Sequence, residues 1–162
     1  MSQLASSRPT IAQMWERAQK WPMGSRLFSF LVGRQARYTG TIGAQVTHLE
    51  HGYATVTMRD QPAVRNHLKS VHAIALMNLG ELCTGLVVMH QVDGRGRGIV
   101  KNLSMEYIKK ARGTITGTCR AIVPTSAGDH DFIAEGILTD EDGDIVAKCI
   151  ASWRLQIYSA EG

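Results

Sequence analysis

One stretch constrains this chain more than any other. From His72 to Met89 there is no Pro, there are few β-branched residues, and apolar side chains cover nearly the whole circumference of a helix. At eighteen residues the stretch is too long for an ordinary strand of ~5–6 residues. A helix that is apolar all round is a helix buried all round. Asn78, Glu81 and Thr84 interrupt it, and it falls short of the ~20 apolar residues that a membrane span needs. The rest of the fold has to supply cover on every side of it.

The flanking sequence indicates how. Residues 10–35 read as two short helices. Thr10 with Gln13 is a capping-box pattern, and Ile11, Met14, Trp15 and Ala18 share one face. From Thr39 the period changes to two. Ile42, Ala44 and Val46 alternate with polar or small residues, His51-Gly52 turns the chain, and Ala54, Val56 and Met58 repeat the pattern. After the helix and a Gly-Arg turn at 93–98, four strands are predicted at about 98–109, 114–123, 131–139 and 145–158. The last alternates most cleanly, with Ala147, Cys149, Ala151, Trp153 and Leu155 on one face. Two strands, a buried helix and four strands make an α+β unit whose curved antiparallel sheet wraps the helix. The expected division is a helical extension at 1–38, the sheet-and-helix domain at 39–158 and a tail at 159–162. One sheet cannot enclose a helix completely. A second subunit or the N-terminal helices must cover the remainder.

Composition excludes several classes. A hydrophobic share of 44% is too high for intrinsic disorder. Eighteen basic against fourteen acidic residues is a modest excess, which fits an anionic ligand and gives no case for nucleic-acid binding. Cys83, Cys119 and Cys149 are widely spaced with no CxxC pair, so neither a zinc site nor a redox motif is expected, only buried reduced thiols. The His residues show no metal-ligand spacing. The polar stretch Met1–Thr10 has no signal-peptide core, and a cytoplasmic, soluble protein is expected.

The segment from Arg65 to Glu81, RNHLKSVHAIALMNLGE, resembles the hotdog-fold acyl-CoA thioesterases, in particular the phenylacetic-acid-pathway type and its bacterial relatives. That family's pattern is an Asn, six residues to a His-Gly opening the central helix, and an acid nine residues after the His. Asn66, His72 and Glu81 keep both spacings. Tyr107 to Ile115 is similar to the family's strand–turn–strand. The resemblance covers about residues 39–158 and implies a hotdog fold, a thioester hydrolase acting on acyl-CoA, and a homodimer or dimer of dimers (a homotetramer). It implies no cofactor beyond the coenzyme A of the substrate. One position departs: Ala73 stands where the family has Gly, keeping the N–H and adding a Cβ.

Thioester hydrolysis needs a polariser for the carbonyl oxygen and a carboxylate to activate water or attack directly. The free N–H groups opening a helix suit a developing oxyanion. Glu81 is the only acid between Asp60 and Asp93. Nine residues of helix separate it from His72, about two and a half turns and ~13–14 Å. The two therefore lie on nearly opposite faces of one helix. They meet only if a second, antiparallel helix brings its Glu81 to the first His72. By carry-over, Asn66, His72 and Ala73 come from one chain and Glu81 from the other, as general base or as nucleophile. Asn78, one turn before Glu81, is a candidate partner for the carboxylate or the substrate. Arg95, Arg97, Lys109, Lys110 and Arg112 are candidates for coenzyme A phosphates, a solvated basic edge being the plain alternative. Gly94 to Gly98 follows a helix and precedes a strand, the reverse of a dinucleotide fingerprint. Asp140 to Asp144 reads as a hairpin turn rather than a calcium loop. Ala73 keeps a second reading open, a non-catalytic acyl-CoA or lipid binder on the same scaffold. A hydratase ranks last, for want of a second acid–His arrangement.

Overall fold

A computed structural model describes residues 8–159. Residues 1–7, the bulk of the stretch read for a signal peptide, and 160–162 of the expected tail lie outside the described residues. The chain opens with α1 (Ile11–Gln19) and α2 (Gly24–Gln35). The Thr10 hydroxyl accepts from the Gln13 amide at 3.3 Å, and the Gln13 side chain returns a bond to the Thr10 N–H at 3.1 Å, closing the capping box. The two helices pack through Trp15 and Phe28, edge to face with centroids 5.0 Å apart. Their turn is tight because Gly24 lies against the Ala18 carbonyl, where a Cβ would stand 1.7 Å from the oxygen.

Six strands form one antiparallel sheet: β1 (Gln45–Glu50), β2 (Tyr53–Met58), β3 (Gly96–Tyr107), β4 (Ile115–Arg120), β5 (Gly128–Thr139) and β6 (Ile145–Ile157), in the order β1-β2-β4-β5-β6-β3. The long helix α3 (Ala73–Val92) lies against its inner face. Small residues at the centre of that face let the helix come close. Gly117 lies under Leu79 and Cys83, Gly136 under Thr84, and Gly80 of the helix rests on Cys149. The three cysteines are free and buried, and burial raises all three thiols, Cys119 to about 12 and Cys149 to about 11.

The first strand differs from expectation. Residues 39–42 form a 3-10 turn, Gly43 is left-handed at φ 62°, and β1 starts only at Gln45. A bulge between Val46 and His48 then turns both Val46 and Leu49 inward, which breaks the period of two. The turn forms because it packs elsewhere. The Tyr38 carbonyl accepts from the Asn78 side chain, and Gly40 touches the Gly33 backbone so closely that a Cβ would sit 2.6 Å from its oxygen. The outer edge of β1 is sealed by α2: the Ser29 hydroxyl accepts from Val46 N–H at 2.8 Å, and Ser25 donates to the Val46 carbonyl. The opposite edge, β3, pairs with β6 on one side and, among the described residues, with no strand on the other.

α3 alone among the described residues is long and apolar enough to cross a membrane, and it is the core helix instead. Most of it is buried. The sheet, α1 and the 3-10 turn leave one stripe open, Ile74, Met77, Glu81, Gly85 and Met89, which recur at spacings of three and four.

Candidate active site

The start of α3 is fixed by its approach. Asn66 organises the preceding turn: its side-chain oxygen accepts from the amides of Leu68 and Ser70 at 2.9 and 3.2 Å and from the Ser70 hydroxyl. Asn66 thus shapes the loop, as Asn does in tight turns. Val71 then donates to the Ala111 carbonyl and His72 to the Val64 carbonyl, so both flanks of the helix start are tied down. His72 is the N-cap, its Nδ1 accepting from Ile74 N–H at 3.1 Å. Leu76 bonds the His72 carbonyl. Of the first amides of the helix, those of Ala73 and Ala75 remain without a protein acceptor among the described residues. They are the pair available to an oxyanion, with the helix dipole behind them. The Tyr107 hydroxyl, from the end of β3, donates to the Ala73 carbonyl at 3.0 Å.

Glu81 sits on the open stripe, half-buried, and its carboxylate makes no hydrogen bond or ion pair among the described residues. Burial raises its pKa above the ordinary 4.5. Asn78 does not pair with it; the buried Asn78 amide donates to Tyr38 instead. Past Glu81 the stripe opens at Gly85, where the Trp153 ring lies 3.6 Å from the position of a Cβ. The indole N–H of Trp153 is buried with no acceptor among the described residues.

The basic residues divide. Arg95 is occupied, bonding the Gln91 carbonyl at 2.6 Å and the Pro124 carbonyl at 3.3 Å. Lys109 clamps the β5–β6 turn, 2.7 Å from Asp140 and 2.5 Å from Asp144, and these bonds hold its ammonium above the usual range. Arg97, Lys110 and Arg112 are exposed. Arg97 lies at the start of β3 and Lys110 and Arg112 lie past its end, beyond ten further residues or ~33 Å of strand, so one chain does not bring them together. Among the described residues no group of three His, Cys, Asp or Glu is placed to hold a metal ion.

Two concavities border α3, one at its start and one further along. One of about 360 Å³ is lined by His72, Ile74, Ala75 and Asn78 against Tyr38 and Val64. A larger one of about 1000 Å³ lies between α2, the 3-10 turn and β1, with Leu82 of α3 in its wall and four arginines around it. Sequence reading passed over this cavity, because its walls come from segments far apart in the chain. The available signal was charge: Arg17, Lys20, Arg26, Arg34 and Arg37 occur with no carboxylate between Arg17 and His48.

A six-stranded antiparallel sheet wrapped round one long buried helix is a hotdog fold, of the kind found in thioesterase-like proteins. The chain belongs to the family DUF4442, a domain of unknown function, whose profile matches residues 24–155 and so takes in α2. A Pseudomonas aeruginosa protein of unknown function, described as a probable thioesterase, shares 28% identity with a TM-score of 0.74, over 85% of this chain and 97% of that one. A thioesterase enzyme from Staphylococcus aureus shares the fold at 16% identity and TM-score 0.66, over 74% and 98%. A thioesterase family protein from Silicibacter pomeroyi does so at 14% and 0.68, over 80% and 96%. A search of curated proteins finds no match.

Proposed function

We propose that this protein hydrolyses an aryl- or fatty-acyl-CoA thioester at a site shared between two copies of the chain. One copy supplies the Ala73 and Ala75 amides, with Asn66 and His72 holding the helix start in place. The other supplies Glu81, as general base or nucleophile. The observation that carries this reading is Glu81 itself: a half-buried carboxylate with no partner, on the one stripe of α3 that the chain leaves uncovered. Charged groups are not left half-buried and unpaired without cost, and such groups cluster at functional sites. Two unfinished surfaces support the second copy. One is the stripe; the other is the free edge of β3, twelve residues long. An exposed strand edge is a template for pairing. The Ala73 amide is retained in full, so the added methyl crowds the site without removing the donor. The thioesterase label of the 28%-identical Pseudomonas protein points the same way.

The test is a panel of aryl- and fatty-acyl-CoA substrates with the purified protein and with Glu81→Ala. Turnover of at least one substrate is expected, falling about a hundredfold or more in the variant. Equal rates for the two proteins sink the role of Glu81. Saturable binding of acyl-CoA without turnover favours the non-catalytic binder.

A further inference from the structure

The large cavity has a charge pattern that the fold does not need. Arg26, Arg34, Arg37 and Arg59 line it, and no Asp or Glu does. None of the four makes an ion pair or hydrogen bond among the described residues. Some cations elsewhere are paired, Arg65 with Asp60, Arg154 with Asp129 and Asp131, Lys109 with Asp140 and Asp144, while others such as Arg97 and Arg112 stand singly on the surface rather than round a concavity. Four like charges round one concavity repel each other unless an anion fills it. Guanidinium forks match phosphate oxygens two at a time. The walls are not uniformly polar, since Phe30, Val32 and Leu82 contribute apolar surface. The fitting ligand is therefore a polyanion with a flat or apolar part, and ~300–1000 Å³ is the range of small-molecule pockets.

We propose that this cavity holds the phosphorylated nucleotide end of coenzyme A, and that Arg26, Arg34, Arg37 and Arg59 are the residues that read it. This rests on the thioesterase reading above. Position supports it. Thr41 lines both this cavity and the smaller one beside His72. Ala75, Asn78 and Leu82, spaced by three and four on α3, form one wall from the helix start to the arginines. That wall is ~10 Å long, a span that a pantetheine arm covers. The earlier phosphate candidates Arg95 and Lys109 are already held by internal acceptors. An acyl group ending in its own carboxylate is the rival source of the anion.

Calorimetric titration of the full chain with coenzyme A, 3′-dephospho-coenzyme A and pantetheine tests the proposal without turnover. Coenzyme A is expected to bind at least about tenfold more tightly than pantetheine. The doubles Arg34→Gln/Arg37→Gln and Arg26→Gln/Arg59→Gln are expected to lose about ten- to hundredfold for coenzyme A, and nothing for pantetheine. Wild-type protein that does not discriminate between coenzyme A and pantetheine overturns the proposal and needs no variant to show it. So do variants that bind coenzyme A as wild type does. Variants that keep coenzyme A affinity but raise KM for a dicarboxylic acyl thioester alone overturn it in favour of the acyl end. Arginine-dependent coenzyme A binding with no hydrolysis across the panel removes the thioesterase reading and leaves this site standing. Hydrolysis with KM unchanged in the variants does the reverse.

Discussion

Glu81 is a half-buried carboxylate on an apolar helix, with no side-chain partner among the described residues. Burial favours its protonated form. Two consequences of opposite sign follow. As a base, Glu81 works only when ionised, so kcat/KM is expected to rise with pH through a limb centred above the ordinary glutamate value. A pH–rate profile checks this, and a limb at or below that value rejects Glu81 as the base. For stability the folded pKa exceeds the unfolded one. The proton-linked stability is then full below the unfolded pKa and is lost as pH rises through the folded pKa. Glu81→Gln removes that loss. The variant is expected to melt above wild type at neutral pH and to converge with it near pH 4, about the unfolded glutamate value. At this scale the sequence was legible where the partner is local. His72 caps its own helix two residues on, and Asn66 bonds residues 68 and 70. Asn78, Arg95 and Lys109 were not legible, because Tyr38, Pro124 and the Asp140–Asp144 turn reach them from distant segments.

The position of α3 depends on glycine and small side chains meeting at the sheet. Gly80 is the tightest of these contacts, with Cys149 Cβ 2.6 Å and Sγ 2.9 Å from where its own Cβ would stand. Both belong to fixed elements in the core, so neither gives way easily. On an exposed helix Gly→Ala gains ~1 kcal/mol from backbone entropy. At Gly80 overpacking is the larger effect, and Gly80→Ala is expected to destabilise by a net ~1–3 kcal/mol in urea unfolding. A stability gain would mean that the helix stands off the sheet. The elements themselves were readable to the degree that one face is buried. β6 is buried at alternate positions from Ala147 to Ile157, and its alternation was the cleanest in the sequence. The residues before β1 also alternate, yet residues 39–42 turn instead, because Asn78 and Gly33 hold that backbone against α3 and α2. Period alone carries no information about contacts forty residues away.

At the scale of the whole molecule, one helix cannot bring its own N-terminus to its own Glu81, since nine residues place them half a turn out of phase and ~13–14 Å apart. In the proposed shared site, the other half comes from a second copy against the open stripe on α3 and the open edge of β3. Two lesions separate the halves. Ala73→Pro deletes one of the two free amides while suiting the first helical position, where Pro is favoured, and the extended His72 at ψ 140° tolerates a following Pro. It is expected to fold, shown by an unchanged far-UV spectrum, and to lose about 10²–10³ in kcat, the usual loss for one oxyanion donor. Glu81→Gln is expected to lose about as much. Each variant alone is then nearly inactive. Unfolded together and refolded at equal amounts, half of the dimers are hybrids. In a shared site every hybrid has one pocket carrying both lesions and one carrying none, so the mixture recovers roughly a quarter of wild-type activity. If amides and carboxylate act within one chain, every pocket in every hybrid keeps a lesion and nothing is recovered. Activity of the refolded mixture, with its mass by light scattering, decides between the two.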